Sequence, residues 1–388
     1  MSFTVDPADI AGFAKLIDRA AEDMHAGISY IGNQANEDGF QVTQGAVGAI
    51  WEELYGNHTQ NVQDVKRFLR KVSEILDASG AELKRSAKYY RDTDREQASK
   101  IDSTYPQSKR RTPDADLASG GSGDFRDAND ARGKLKLLEA DPSFLSPDLI
   151  AKAQNWAEGH VEEWQFNGGF KSLGVPLDLL SPSAIATEGL KLFFNFDPIG
   201  WVATQIGGDW EGYLKCGELW GNLASFCRSV AANIYHGTSQ IAVTWTGNAA
   251  DAAFVYFEEI ADLLNSAAES FDSLKENYEM IAYIVFGISD FAKTALSMVL
   301  DWALEAGIAA LAGVETSSTI IGPIVAAAVV ANRALKAIEK YKHIIDAIDH
   351  GLVLAKLGTA ECGRESASME SKVKKFPVPG RSYDNAVA

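Results

Sequence analysis

Residues 242–253 read Ala-Val-Thr-Trp-Thr-Gly-Asn-Ala-Ala-Asp-Ala-Ala and place a Trp-x-Gly between two long runs of regularly spaced apolar residues. Apolar side chains recur at steps of three and four in both runs, over residues 213–234 before the Trp-x-Gly and over residues 253–281 after it. This spacing lines one face of an α-helix. The two runs and the short segment between them therefore predict an antiparallel helical hairpin over residues 209–287.

Trp245 and Gly247 are the residues that shape the predicted turn. A reversal between two long helices needs a residue that can adopt a positive φ, and Gly247 has no side chain to prevent it. Trp245 can fold its indole over the exposed end of the apolar seam. From the residues alone, Trp245 is better explained as an ordinary core residue that caps the end of a hairpin.

The first hundred residues predict a second hairpin, over residues 1–102. Asp6 precedes Pro7, a pattern typical of a helix N-cap followed by a first-turn proline. Two stripes with three- and four-residue steps follow, separated by a segment rich in Gly, Asn and Asp. Their members are Ile10, Phe13, Ile17, Ala20, Met24, Ile28 and Ile31, then Val62, Val65, Leu69, Val72, Leu76, Ser79, Leu83, Ser86 and Tyr90.

The rest of the chain is expected to add helices and connecting segments to an all-α protein. Residues 103–132, which contain Ser-Gly-Gly-Ser-Gly, predict a flexible linker, and residues 133–208 predict short connecting helices punctuated by proline. Residues 288–358 predict further apolar helices. Residues 359–388 lack a periodic face and predict a disordered tail. No alternating apolar and polar run of strand type is present.

Charge and terminal sequence limit the classes of partner. The chain has 53 acidic and 36 basic residues, and its net charge of -17 disfavours nucleic acid and anionic lipid as partners. The first residues, Met-Ser-Phe-Thr-Val-Asp-Pro, do not form a general secretory signal peptide. Export, if it occurs, is expected to use another route.

The sequence offers no catalytic constellation, and we predict a non-enzymatic protein with no metal or cofactor. Cys216, Cys227 and Cys362 form neither a CxxC pair nor a disulfide framework. The best metal-ligating group, His343, Asp346 and His350 at helical spacing, is better explained as the polar face of an amphipathic helix.

A second motif lies at the end of the first hairpin. There the chain reads Lys-Tyr-Tyr-Arg-Asp-Thr-Asp-Arg-Glu, which gives a Tyr-x-x-x-Asp pair of Tyr90 and Asp94. If one helix carries both residues, they lie four positions apart on one face. We expect them to present a combined aromatic and anionic surface.

Trp245 and Gly247 at a hairpin turn, together with Tyr90 and Asp94 just past another hairpin, resemble the WXG family of type VII (ESX) secretion substrates of actinobacteria. The resemblance implies four-helix bundles in which the Trp-x-Gly turn of one partner lies beside the Tyr-x-x-x-Asp/Glu tail of the other. It also implies recognition by a type VII secretion ATPase and a secreted or cell-surface location. Since this chain carries both motifs, it is expected to supply both members of the pair.

Three alternatives remain open from the sequence. Each hairpin could instead recruit a small WXG-family protein in trans. The chain could be a membrane-active effector whose helices at 281–300 and 319–335 insert after export. It could also be an intracellular chaperone or immunity protein, in which case Tyr90 and Asp94 would not affect localisation.

Overall fold

A computed structural model describes residues 3–34, 49–105, 124–139 and 210–315, together with individual positions between 332 and 376. Side chains are described for 3–34, 56–105, 124–139 and 210–286, and at those individual positions. The described residues form long helices and no β-strand beyond one isolated bridge, which confirms the predicted all-α class. The helices are α1 (Pro7–Gln34), α2 (Ala49–Asp92), α3 (Arg95–Asp102), α4 (Trp210–Ile241) and α5 (Asn248–Glu315), with a short 3-10 helix at Arg132–Lys134.

The predicted helix start at Pro7 and the predicted apolar stripes are present. The Asp6 carboxylate accepts a hydrogen bond from the Ala8 N–H at 2.9 Å, which satisfies one of the unpaired donors at the start of α1. Every apolar member of the predicted stripes is buried except Ile28 and Tyr90, which are half-buried. The helices therefore follow the periodicity of the sequence.

Each long helix pair is antiparallel, as the order of its contacts shows. Between α1 and α2, His25 bonds Ser73 while Asp18 pairs with Lys84, so the residue numbers run in opposite directions. Between α4 and α5, the ring of Trp210 lies 5.6 Å from that of Phe286, whereas Arg228, further along α4, pairs with Asp272, which is earlier in α5.

The first pair packs on the second along one shared apolar core. The ring of Phe13 in α1 lies 4.9 Å from that of Phe257 in α5, and the ring of Phe68 in α2 lies 6.5 Å from that of Phe271. At Gly27 of α1, an added Cβ would lie 2.9 Å from the ring of Phe226 in α4. Glycine at this position therefore allows α1 and α4 to approach closely.

Residues 124–139 form a strap across α1 and α4, which corrects the predicted flexible linker for positions 124–132. Asn233 of α4 bonds both backbone groups of Asn129, accepting from its N–H at 2.8 Å and donating to its carbonyl at 2.9 Å. Arg19 of α1 donates to the Phe125 carbonyl, and the Phe125 side chain is buried. The expectation failed because side chains from distant helices, rather than local periodicity, hold this segment.

Positions 135–139 also differ from the prediction of connecting helices. They continue the strap without helix, and the Lys136 carbonyl accepts a hydrogen bond from the Tyr30 hydroxyl at 2.8 Å. The remainder of the predicted connecting segment, from 140 onward, lies outside the described residues up to 209.

The segment after 358, predicted as a disordered tail, is helical at its described positions from 360 to 374. Met369 is only 1% exposed, and the ring of Phe376 lies 5.7 Å from that of Tyr256 in α5. Met369 and Phe376 therefore pack against the apolar core of the bundle. Positions 377–388 lie outside the described residues.

The expected boundary at 287, between the second hairpin and the C-terminal helices, is also absent. Helix α5 runs unbroken through it to Glu315.

No helix within the described part of the chain is both long and apolar enough to cross a membrane. The segment 319–331 lies outside the described residues, as do Cys362, His343 and His350. Cys216 and Cys227 are buried, and neither is part of a disulfide.

Candidate functional site at the Trp-x-Gly turn

The turn that joins α4 to α5 has the geometry predicted for it. The Trp245 N–H donates to the Ile241 carbonyl at 2.9 Å, which ends α4, and Gly247 has a φ of +134°. The Gly247 carbonyl then accepts from the Asp251 N–H at 3.0 Å, the first helical bond of α5. The prediction of a positive φ at Gly247 is confirmed.

The Trp245 indole is enclosed by aromatic rings from both halves of the chain. The residue is 2% exposed. Its ring lies 5.8 Å from that of Phe254 in α5 and 6.4 Å from that of Tyr90 in α2, both at steep angles typical of edge-to-face contacts. Tyr90 and Trp245, predicted as parts of separate motifs, therefore meet at one end of the molecule.

The residues before α1 also close this end. Thr4 and Thr246 form an antiparallel bridge in which the Thr246 N–H donates to the Thr4 carbonyl at 2.8 Å, and the Thr4 N–H donates back at 3.3 Å. The Asp6 N–H adds a bond to the Thr244 carbonyl at 3.1 Å. The backbone groups of the turn, which cannot all bond within a helix, are satisfied by this segment.

Tyr90 lies in a largely apolar environment that disfavours its ionised form. Its ring is 6.1 Å from that of Phe3 and 5.8 Å from that of Tyr89. Burial raises the pKa of the Tyr90 phenol well above that of a free tyrosine, and the nearby Asp102 carboxylate raises it further. These effects favour the neutral phenol, and a hydrogen bond with the Trp245 side chain offsets only part of the increase in pKa.

Asp94 does not lie on the same helix as Tyr90, which corrects the expected i, i+4 arrangement. Helix α2 ends at Asp92, and Asp94 is the N-cap of α3, where its carboxylate accepts from the Glu96 N–H at 2.9 Å. Because an N-cap residue has a non-helical backbone, the regular spacing between the two residues is broken. Asp94 is exposed, whereas Tyr90 is half-buried.

The acidic residue that contacts the Trp-x-Gly turn is Asp102, which the sequence reasoning missed. Its carboxylate is buried and accepts from the Asn248 N–H at 3.0 Å and from the Ala249 N–H at 2.9 Å. These are unpaired donors at the start of α5, so the last residue of α3 caps another helix. The Asn248 side chain donates in return to the Asp102 carbonyl at 3.2 Å.

Gly247 is thus required for two reasons rather than one. Besides the positive φ, a Cβ at this position would lie 2.7 Å from each oxygen of the Asp102 carboxylate. Carbon and oxygen atoms are not tolerated at that separation. The absence of a side chain at Gly247 therefore lets Asp102 reach the start of α5.

This arrangement is suited to holding helices together and presenting a surface. The described residues that converge on the turn supply aromatic rings, one buried carboxylate and backbone bonds, and no nucleophile paired with a base is found among them. Within the described ranges, no group of three or more His, Cys, Asp and Glu residues could hold a metal ion. Comparison with protein families, with curated proteins and with solved structures finds no match to this chain.

Proposed function

We propose that this protein is a non-enzymatic substrate or component of a type VII secretion system, exported as a folded helical bundle and acting through protein contacts. The observation that carries the proposal is the contact of Tyr90 with Trp245 within one chain. It supports the view that a single polypeptide supplies the two motifs which the WXG resemblance assigns to two partners.

Contacts within the chain cover the Trp-x-Gly turn, which supports the view that the protein does not need a small WXG-family partner. Trp245 is enclosed by Tyr90, Phe254 and the bridge at Thr4, all from the same chain. A small protein binding in trans would have to displace these contacts before it could cover the turn. We therefore expect the chain to fold and to be exported without such a partner.

The partner expected to read the site is the secretion ATPase of a type VII system. Asp94 is exposed at the start of α3, close in sequence to a Tyr90 ring that remains half-buried. The pair supplies an accessible charge and, four residues earlier in the chain, an anchored aromatic ring. We propose that the ATPase binds this end of the bundle.

Export from a bacterial host with an active type VII system tests the proposal. Asp94→Ala and Tyr90→Ala are expected to retain the protein in the cell while leaving most of its helix content intact. Asp92→Ala is the matched control, because Asp92 is also an exposed acid two positions earlier in the chain.

Two results would contradict the proposal. Unchanged export of both variants would show that the Tyr90 and Asp94 motif is not required for export. Retention of the wild-type chain inside the cell, whichever residue is replaced, would favour the chaperone or immunity function instead. A host that lacks the secretion ATPase serves as the negative control for export.

A further inference from the structure

The Tyr90 and Asp94 pair is split between two helices, so its geometry is not set by one helix. Helix α2 ends at Asp92 and α3 begins at Arg95. The position of Asp94 relative to Tyr90 therefore depends on how α3 is held against the rest of the molecule.

Helix α3 has eight residues, too few to be stable by its own backbone bonds. Arg95, Glu96, Gln97, Ser99 and Lys100 are exposed. Its buried members are Ala98, a small residue at 2% exposure, and Asp102, at 7%. Since Ala98 buries little apolar surface, the polar contacts of Asp102 are the strongest anchor that α3 has.

That anchor is attached to the Trp-x-Gly turn. Both oxygens of Asp102 bond backbone N–H groups at the start of α5, where the helix dipole favours a negative charge. In return, the Asn248 side-chain amide donates to two backbone carbonyls at and just after the end of α3, that of Asp102 at 3.2 Å and that of Tyr105 at 3.5 Å. The end of α3 is thus fixed from two directions.

We infer that Asp102 is the positioning residue of the export motif. By capping α5 it fixes the end of α3, and α3 in turn sets the position of its N-cap residue, Asp94, relative to the Trp-x-Gly turn. The motif is then presented as a folded surface and is not read as a linear sequence. This inference rests on the proposed export function and adds the residue that orients its site.

Hydrogen exchange and export, measured on the same variants, test the inference. Asp102→Ala is expected to increase amide exchange over residues 95–102 by about tenfold, because it removes the charge-assisted hydrogen bonds that hold α3 on the start of α5. Its export is expected to be lost even though Tyr90 and Asp94 are unchanged. Asp102→Asn, which keeps one acceptor oxygen, is expected to recover part of both properties.

Asp23→Ala is the matched control. Asp23 is also 7% exposed and pairs with Arg132 of the strap at 2.6 Å, about three-fifths of the way along α1 from the turn. Its replacement is expected to lower the melting temperature without affecting exchange in α3 or export. If Asp102→Ala proves poorly folded by circular dichroism, Asn248→Ala, which keeps the carboxylate and removes only the returning amide, takes its place.

The outcomes separate this inference from the proposed function. Normal export of a folded Asp102→Ala protein, with Asp94→Ala retained in the cell, overturns the positioning role alone. Normal export of Asp94→Ala and Tyr90→Ala overturns the proposed function itself. Loss of export in Asp23→Ala to the same degree as in Asp102→Ala would show that general stability, and not α3, controls export.

Discussion

The ring of Tyr90, near the end of α2, lies 6.4 Å from the ring of Trp245, in the turn before α5. The two residues belong to different hairpins, so this contact joins the halves of the chain. A double-mutant cycle of Tyr90→Ala and Trp245→Ala is expected to give a coupling free energy of about 0.5–1.5 kcal/mol, the range for edge-to-face aromatic pairs. Urea unfolding of the four proteins measures it.

The control cycle pairs Trp245→Ala with Tyr235→Ala, since Tyr235 is an exposed tyrosine on α4. Additive effects are expected there. Additivity in the Tyr90 cycle as well would show that the two hairpins do not meet at this point in solution.

Gly247→Ala is expected to be strongly destabilising, by about 2–4 kcal/mol, because it places a Cβ at a positive φ and against the Asp102 carboxylate. Gly56→Ala is the matched substitution, since Gly56 lies within α2 and an added Cβ there would meet no atom within 4 Å. It is expected to stabilise the protein by about 0.5–1 kcal/mol. Equal effects of the two substitutions on the free energy of unfolding would contradict the described turn.

His58 is expected to make the fold sensitive to acid. Burial lowers its pKa from 6.5 to about 4, and its Nδ1 lies 2.7 Å from the Tyr278 hydroxyl. Between these two pKa values the unfolded chain takes up a proton that the folded chain does not, so stability falls as the pH falls. The loss attributable to His58 is about 2 kcal/mol between about pH 7 and about pH 5.

Urea unfolding at both pH values, for the wild type and for His58→Gln, isolates this contribution. Glutamine keeps a polar group near Tyr278 but does not titrate. The variant is expected to lose less stability on acidification than the wild type. An identical pH dependence for the two proteins would mean that His58 has the same pKa in the folded and the unfolded chain, and that it is therefore exposed to solvent.

The strap over residues 124–139 is expected to depend on Asn233. Asn233→Asp keeps an acceptor for the Asn129 N–H but loses the donor to the Asn129 carbonyl and adds charge beside it. The expected cost is about 1–3 kcal/mol in free energy of unfolding, with faster amide exchange confined to the strap. Exchange that stays slow over these residues would mean that other contacts are sufficient to hold them.

The long helices and their buried faces could be predicted because their information is local. Apolar residues from Ile10 to Ile31, and from Ala253 to Ile281, recur at helical spacing, and burial follows that spacing. The role of Gly247 in the turn was predictable for the same reason. Only glycine adopts the required φ without strain.

Asp102 could not be predicted, because its partners Asn248 and Ala249 lie in another hairpin and no spacing rule links them. The strap was missed for a similar reason. Its main contacts join its backbone carbonyls and N–H groups to side chains of α1 and α4, and such contacts leave no periodic pattern.

The break before α3, by contrast, did carry a local signal. Asp94 is followed three residues later by Gln97, which is the pattern of a capping box at a helix start. The interpretation of Tyr90 and Asp94 as one helical face set that signal aside. The helical segment near Met369 and Phe376 had weaker cues, a few apolar residues among many polar ones.

The central claim is that the two halves of one chain close on each other at the Trp-x-Gly turn, and a cross-link between Thr4 and Thr246 tests it most directly. Their backbone-bonded antiparallel pairing places the two Cα atoms about 5.5 Å apart, within reach of a disulfide. Thr4→Cys with Thr246→Cys is expected to give, on mild oxidation of the purified protein, an intramolecular disulfide in a monomer, seen by non-reducing electrophoresis and peptide mass mapping. Failure of the bond to form, or its formation only between chains, would contradict the claim.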